Sequence, residues 1–182
     1  MIKRLRRLWI CRRGTALMEF ALAAPVVILL SIGGSDFVIY LLLQQKLQNA
    51  AFNVADLAAR DKTLSVSQID SIFTSVRHVS QPFDFESNGR AIVTGISASS
   101  NNNPRVYWQR SGAGDYSAAS RVGSVGKTAA IPQGLSIATN ETIIAAEIFY
   151  SYEPLFGLAL SPQVIHRTAY FKPRLGTLHS LE

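Results

Sequence analysis

An apolar run near the N-terminus constrains this chain more than any other feature. No residue from Phe20 to Ser35 is charged, and admitting Asp36 extends the run to Leu43. Ala16–Leu43 would be about 42 Å long as a helix, against a hydrocarbon core of roughly 30 Å. A secretory signal has a shorter apolar core, roughly 7–15 residues, closed by a small-x-small cleavage site. Here the run passes into Gln44-Gln45-Lys46-Leu47-Gln48 without such a site. It reads as a retained membrane anchor.

The charge distribution orients that anchor. The 182-residue chain carries a formal charge of +6, yet Lys3, Arg4, Arg6, Arg7, Arg12 and Arg13 all precede the apolar run, with no acid among residues 1–14. Removing these six leaves residues 15–182 neutral. Basic residues on one flank hold that flank in the cytoplasm, so residues 44–182 are expected outside. A nucleic-acid partner needs a basic face on the folded part, and the neutral remainder gives no reason to expect one. The single cysteine, Cys11, lies in the leader, so no internal disulfide can form.

Two acids interrupt the apolar run. Glu19 falls about one turn inside it and needs a partner: Arg12, Arg13, a headgroup or a neighbour in the membrane. An unpaired acid in hydrocarbon costs on the order of 2.5–3.5 kcal/mol. Asp36 is 17 residues further on, about 25 Å along a helix, and reads as an interfacial residue contacting water or headgroups. Pro25 lacks a backbone donor and can kink the helix.

Arg12-Arg13-Gly14-Thr15-Ala16-Leu17-Met18-Glu19-Phe20 resembles the processing site of Flp/Tad pilins and of the TadE/TadF pseudopilins. That site is a glycine ending a basic leader, then four residues, then a glutamate and an aromatic. Glu19-Phe20-Ala21-Leu22-Ala23-Ala24-Pro25, Asp36-Phe37 and Gln48-Asn49-Ala50-Ala51 are similar to the TadE pattern, which more often has Glu at the position of Asp36. The resemblance covers residues 12–60, and more weakly Tyr150–Pro154 and Thr168–Arg174. It implies cleavage between Gly14 and Thr15 by a prepilin peptidase, with Glu19 as the fifth mature residue. It also implies a pilin-like α+β fold: a long N-terminal helix on a small antiparallel sheet with one additional helix. The implied partners are other Tad pseudopilins, the major Flp pilin, the inner-membrane Tad assembly platform and membrane lipid. The implied location is the bacterial inner membrane, with the outer domain periplasmic, or extracellular once in a pilus.

The residues beyond the membrane fit this layout. Tyr40, Gln44, Leu47, Ala51, Val54 and Ala58 recur at helical spacing, widened by Leu41 and Leu57, so one helix is expected over 16–60. The expected division is a leader at 1–14, a transmembrane helix at 15–43, its amphipathic continuation at 44–60 and an outer domain at 61–182. A second helix is expected over 67–79, with a capping box from Ser65 and Gln68 and an end before Pro82. The alternating pattern predicts strands at 90–97, 105–110, 142–152 and 163–172, the first two joined through Asn101-Asn102-Asn103-Pro104. Ile144, Ala146, Ile148 and Tyr150 should share one face of their strand, as should Val164, His166, Thr168 and Tyr170 of theirs. Residues 111–140, rich in Gly, Ser and Ala, read as a long exposed loop and the segment to meet a partner.

Reactive chemistry is not legible. His78, His166 and His179 are far apart and make no metal-ligand spacing. Gly126-Lys127-Thr128 mimics the end of a phosphate-binding loop, but Arg121 stands where its first glycine belongs. No serine lies in a nucleophile elbow, and the acids of the outer domain show no pairing at the level of sequence. Tyr107, Trp108, Tyr150 and Tyr152 read as strand core. No catalytic residue, metal or cofactor is expected. The expected function is structural, a Tad-type pseudopilin; the alternative is a permanently signal-anchored envelope protein with an outer binding module.

Overall fold

The structure, a computed structural model, describes residues 13–60, 63–98 and 103–174. Lys3, Arg4, Arg6, Arg7, Cys11 and Arg12 of the leader, Asn101-Asn102 of the expected turn and His179 lie outside the described residues. Helix α1 (Arg13–Ala58) runs unbroken through Pro25. Helix α2 (Val66–Val79) and a single turn, α3 (Phe85–Asn88), precede four strands: β1 (Gly89–Ala98), β2 (Pro104–Gly112), β3 (Thr142–Tyr152) and β4 (Gln163–Phe171). The strands form one antiparallel sheet in the order β2-β1-β3-β4. The fold is α+β, a long N-terminal helix packed on a four-stranded sheet with additional helices.

The chain divides into two compact units. One holds α1 up to Ile39 together with Pro154–Ser161; the other holds Tyr40–Glu153 and the chain from Pro162 on. In the first unit the helix is apolar on its outside: Leu17, Met18, Phe20, Leu22 and Val26 through Leu30 are all exposed. It is long and apolar enough to cross a membrane. Ser31 and Ser35 donate their hydroxyls to the carbonyls of Val27 and Ser31, each at 2.8 Å, so neither hydroxyl needs water.

In the second unit the burial of α1 inverts. Leu43, Leu47, Ala50, Ala51, Val54, Ala55, Ala58 and Ala59 are buried, so the stripe lies where its spacing places it, widened by Leu43 and the alanines. Leu41, expected on that face, is 44% exposed. Tyr40 and Phe52 of this stretch meet Tyr152 and Phe171 of the sheet. Helix α2 starts as its sequence predicts: Gln68 N–H donates to Ser65 Oγ and Ser65 N–H donates to Gln68 Oε1. Its buried side is Ile69, Ile72, Phe73 and Val76.

The register decides what each strand face meets. Ile144, Ala146, Ile148 and Tyr150 do share a face, and pairing brings Ile165, Arg167, Ala169 and Phe171 alongside them. His166, Thr168 and Tyr170 pair with Phe149, Glu147 and Ala145, so they occupy the opposite face. That face is covered by residues 113–141, which are irregular as expected but not simply exposed. Val122, Ala129 and Ile137 pack with Ile96, Val106, Ile143 and Ala145 in one buried cluster. The same segment closes the edge of β2: Gly126 N–H donates to Val106 O, Val106 N–H to Lys127 O, and Ala129 N–H to Pro104 O. An open edge invites pairing with other chains, and here the chain's own backbone occupies it.

The β1–β2 ladder breaks register between Gly95 and Ile96, with Gly95 opposite Trp108. A Cβ at Gly95 would run into the Trp108 indole, whose ring is buried. Gly95→Ala should therefore destabilise the outer domain by about 1–3 kcal/mol, read as a lower denaturant midpoint at an unchanged slope.

Candidate functional site

The segment that resembles a processing site stands on the exposed start of α1. Thr15, Glu19 and Phe20 are all solvent-facing, so Glu19 lies among exposed Leu17, Met18, Phe20 and Leu22. Among the described residues none buries this carboxylate.

Asp36 has the opposite environment. Among residues 15–42 it alone is buried, at 0% exposure. Water or headgroups were the expected neighbours; the β3–β4 loop takes their place. Asp36 Oδ1 accepts from the backbone N–H of Leu155 at 3.1 Å and of Phe156 at 3.2 Å. Its Oδ2 accepts from Phe156 N–H at 3.3 Å and Gly157 N–H at 3.0 Å. Gly157 has φ +67°, a left-handed conformation that L side chains adopt reluctantly. It turns the chain so that three successive amides converge on one carboxylate, the arrangement of an anion nest.

A second buried carboxylate lies in the outer domain. Glu147 is the only charged residue of β3 and is 0% exposed. Its Oε1 accepts from Arg121 N–H at 2.9 Å and lies 3.1 Å from His166 Nε2. Its Oε2 accepts the hydroxyl of Ser120, and that hydroxyl oxygen in turn accepts from Val122 N–H at 3.1 Å. Thr168 Oγ1 is 3.0 Å from His166 Nε2, and Phe149 stacks on the imidazole with centroids 4.4 Å apart. Serine, histidine and glutamate thus meet, but the carboxylate stands between the other two. A nucleophilic serine needs its hydroxyl on the imidazole that takes its proton. This geometry instead fastens the irregular cover, residues 120–122, to the middle of the sheet.

Burial raises the Glu147 pKa, and hydrogen bonds from His166, Ser120 and the Arg121 amide outweigh it, leaving the carboxyl below the ordinary glutamate range. Of the aromatics read as strand core, Trp108, Tyr150 and Tyr152 are buried, whereas Tyr107 is exposed; His78 is exposed as well. The sequence hides both carboxylate sites, although each leaves a trace. Glu147 is a lone acid in an apolar strand, and Leu155–Leu160 is an apolar, uncharged loop where polar residues are usual. Among the described residues no group of three or more His, Cys, Asp and Glu is placed to hold a metal ion.

A carboxyl with a depressed folded-state pKa adds stability above its unfolded pKa, here near the ordinary glutamate value of 4.5, and loses it as pH falls through the lower folded value. The outer domain should therefore weaken as pH drops below about 5. Glu147→Gln should flatten that dependence, measured as denaturant midpoint against pH. Glu147→Ala, which leaves buried donors without an acceptor, should cost about 3 kcal/mol at neutral pH.

The family model described as TadE-like protein matches residues 14–56. No curated protein and no solved structure matches the chain. The matched segment starts at Gly14, takes in Glu19 and Asp36, and ends within the buried stripe of α1. Over residues 14–56 this chain is similar to the TadE-like family.

Proposed function

We propose that this chain is a Tad-type pseudopilin, a minor pilin that a prepilin peptidase processes between Gly14 and Thr15. The observation that carries this reading is the coincidence of the TadE-like match, beginning at Gly14, with a helix whose first half exposes apolar side chains and Glu19. The basic leader holds the N-terminus in the cytoplasm. The helix anchors the protein in the inner membrane as a span at 15–43, and the outer domain stands in the periplasm. From there the subunit takes part in assembly, priming or the tip of the Flp/Tad pilus. Its partners are the peptidase, the major Flp pilin, other Tad pseudopilins and the membrane assembly platform. The role is structural, without catalysis or cofactor.

The chemistry of cleavage supports the role of Glu19. Removing the leader creates an α-amine at Thr15 with a reference pKa of about 7.7–8.0, mostly charged at neutral pH. Assembly withdraws that amine and the Glu19 carboxylate from water. Pairing the amine of one subunit with the carboxylate of a neighbour offsets both desolvation terms, whereas a missing partner leaves a buried charge worth several kcal/mol.

Two measurements test the reading. Intact-mass analysis of the membrane-extracted protein from cells carrying the peptidase should give a mature N-terminus at Thr15. A retained Met1 would instead support a permanently signal-anchored binding module. Glu19→Gln should insert normally and lower incorporation into pili roughly tenfold or more; normal incorporation would remove Glu19 from the assembly contact.

A further inference from the structure

Helix α1 up to Ile39 is inside out by the standards of a water-soluble protein, with its apolar side chains exposed and its one acid past Glu19 buried. What buries Asp36 is the loop Pro154–Ser161, and the loop is inside out as well. Its backbone faces the carboxylate, while Leu155, Phe156 and Leu158 are 71%, 53% and 59% exposed. Nothing in the loop is charged.

In water such a loop is poorly made, because three of its four large side chains meet solvent while the amides of residues 155–157 turn inward to a carboxylate. In hydrocarbon the same arrangement is well made. Lipid accepts the side chains, and irregular backbone is tolerated there only when its polar groups are satisfied by protein. Asp36 supplies that satisfaction to three consecutive N–H groups.

The position along the helix agrees. A span that begins near Ala16 uses up about 30 Å in 20 residues, which puts Asp36 at the far boundary of the hydrocarbon. The loop continues past Asp36 toward the helix N-terminus. Ala159 lies against Gly33, where an added Cβ would stand 3.7 Å from the Ala159 Cβ, and Leu158 joins Leu29 and Leu30 in lining an apolar groove. Gly33 is three helical steps from Asp36, about 4.5 Å, close to the shallow end of the roughly 5–10 Å that interfacial apolar segments reach.

We infer that the β3–β4 loop is a second membrane-inserted element, a hook whose side chains enter the acyl chains of the leaflet remote from the N-terminus while Asp36 caps its backbone. This rests on the reading of α1 as the membrane span. It does not require the chain to be a pseudopilin.

The test places a nitroxide on the full-length chain carrying Cys11→Ser, in phosphatidylcholine–phosphatidylglycerol vesicles with no other pilus protein. Labels sit at Phe156→Cys, at Leu29→Cys as the helix reference and at Ser124→Cys as an exposed reference in the outer domain. Collisions with oxygen report lipid, and collisions with a water-soluble nickel chelate report water. The expected result is loss of nickel accessibility at 156 to the level of 29, with high oxygen accessibility. Nickel accessibility at 156 matching that at 124 overturns the hook while 29 remains in lipid. A label at 29 that also meets nickel overturns the span itself, and the hook with it. Shielding of 156 from both reagents assigns the loop to a protein neighbour and overturns the lipid contact. Asp36→Ala should restore nickel access and raise label mobility at 156 while nickel access at 29 stays low; unchanged values at 156 would show that the carboxylate does not hold the hook.

Discussion

Asp36 and Glu147 are fully removed from solvent, and a buried carboxylate is tolerable only when donors surround it. In both cases backbone amides of an irregular segment supply donors: Leu155, Phe156 and Gly157 for Asp36, Arg121 for Glu147. The benefit runs both ways. Irregular backbone cannot satisfy itself as a helix or a ladder does, and an unpaired buried amide costs nearly as much as a lost hydrogen bond. Each acid therefore fixes a loop that regular structure could not, and each loop makes the burial of its acid tolerable. Residues 118–124 and 154–161 contain no regular element; the first segment is also held where Ala130 N–H donates to Val122 O and Gln109 Nε2 donates to Gly123 O.

This constraint explains why the central strands β1 and β3 are buried on both faces although only one face meets helices. The covering layer over Ile143, Ala145 and Glu147 consists of loop, held by the Glu147 cluster and by backbone pairing along the edge of β2. Its apolar contribution is modest, mainly Val122, Ala129 and Ile137, so the polar fastening is what specifies where it lies. In α1 the alanines of the buried stripe show a similar sparing use of side chains, letting the helix approach closely without large groups to accommodate.

Local and periodic features are the ones legible in the residues. The capping box of α2 needs only Ser65 and Gln68, three positions apart, and the structure has it. The third strand is readable to the residue because its alternation and its flanking breakers are contiguous. The stripe of α1 is readable for the same reason, and only Leu41 falls off the buried face. The cover reads as exposed loop because its few apolar residues have no period, and burial without periodicity leaves no pattern to recognise. His166 and Glu147 are both visible as residues and invisible as a pair, because their contact depends on the register of β4 against β3.

The sequence by itself determined the membrane-length helix, the placement of its charges, the TadE-like segment that takes in Gly14 and Glu19, and the α+β character of the outer domain. Those are properties of adjacent residues, set by hydropathy, helical spacing and strand alternation. Only the tertiary structure decided what Asp36 and Glu147 do. Their partners lie 119–121 residues away for Asp36 and 19–27 residues away for Glu147, and a backbone amide carries no side-chain signature. Any loop brought to the right place could have donated those hydrogens, and chain topology chose which one.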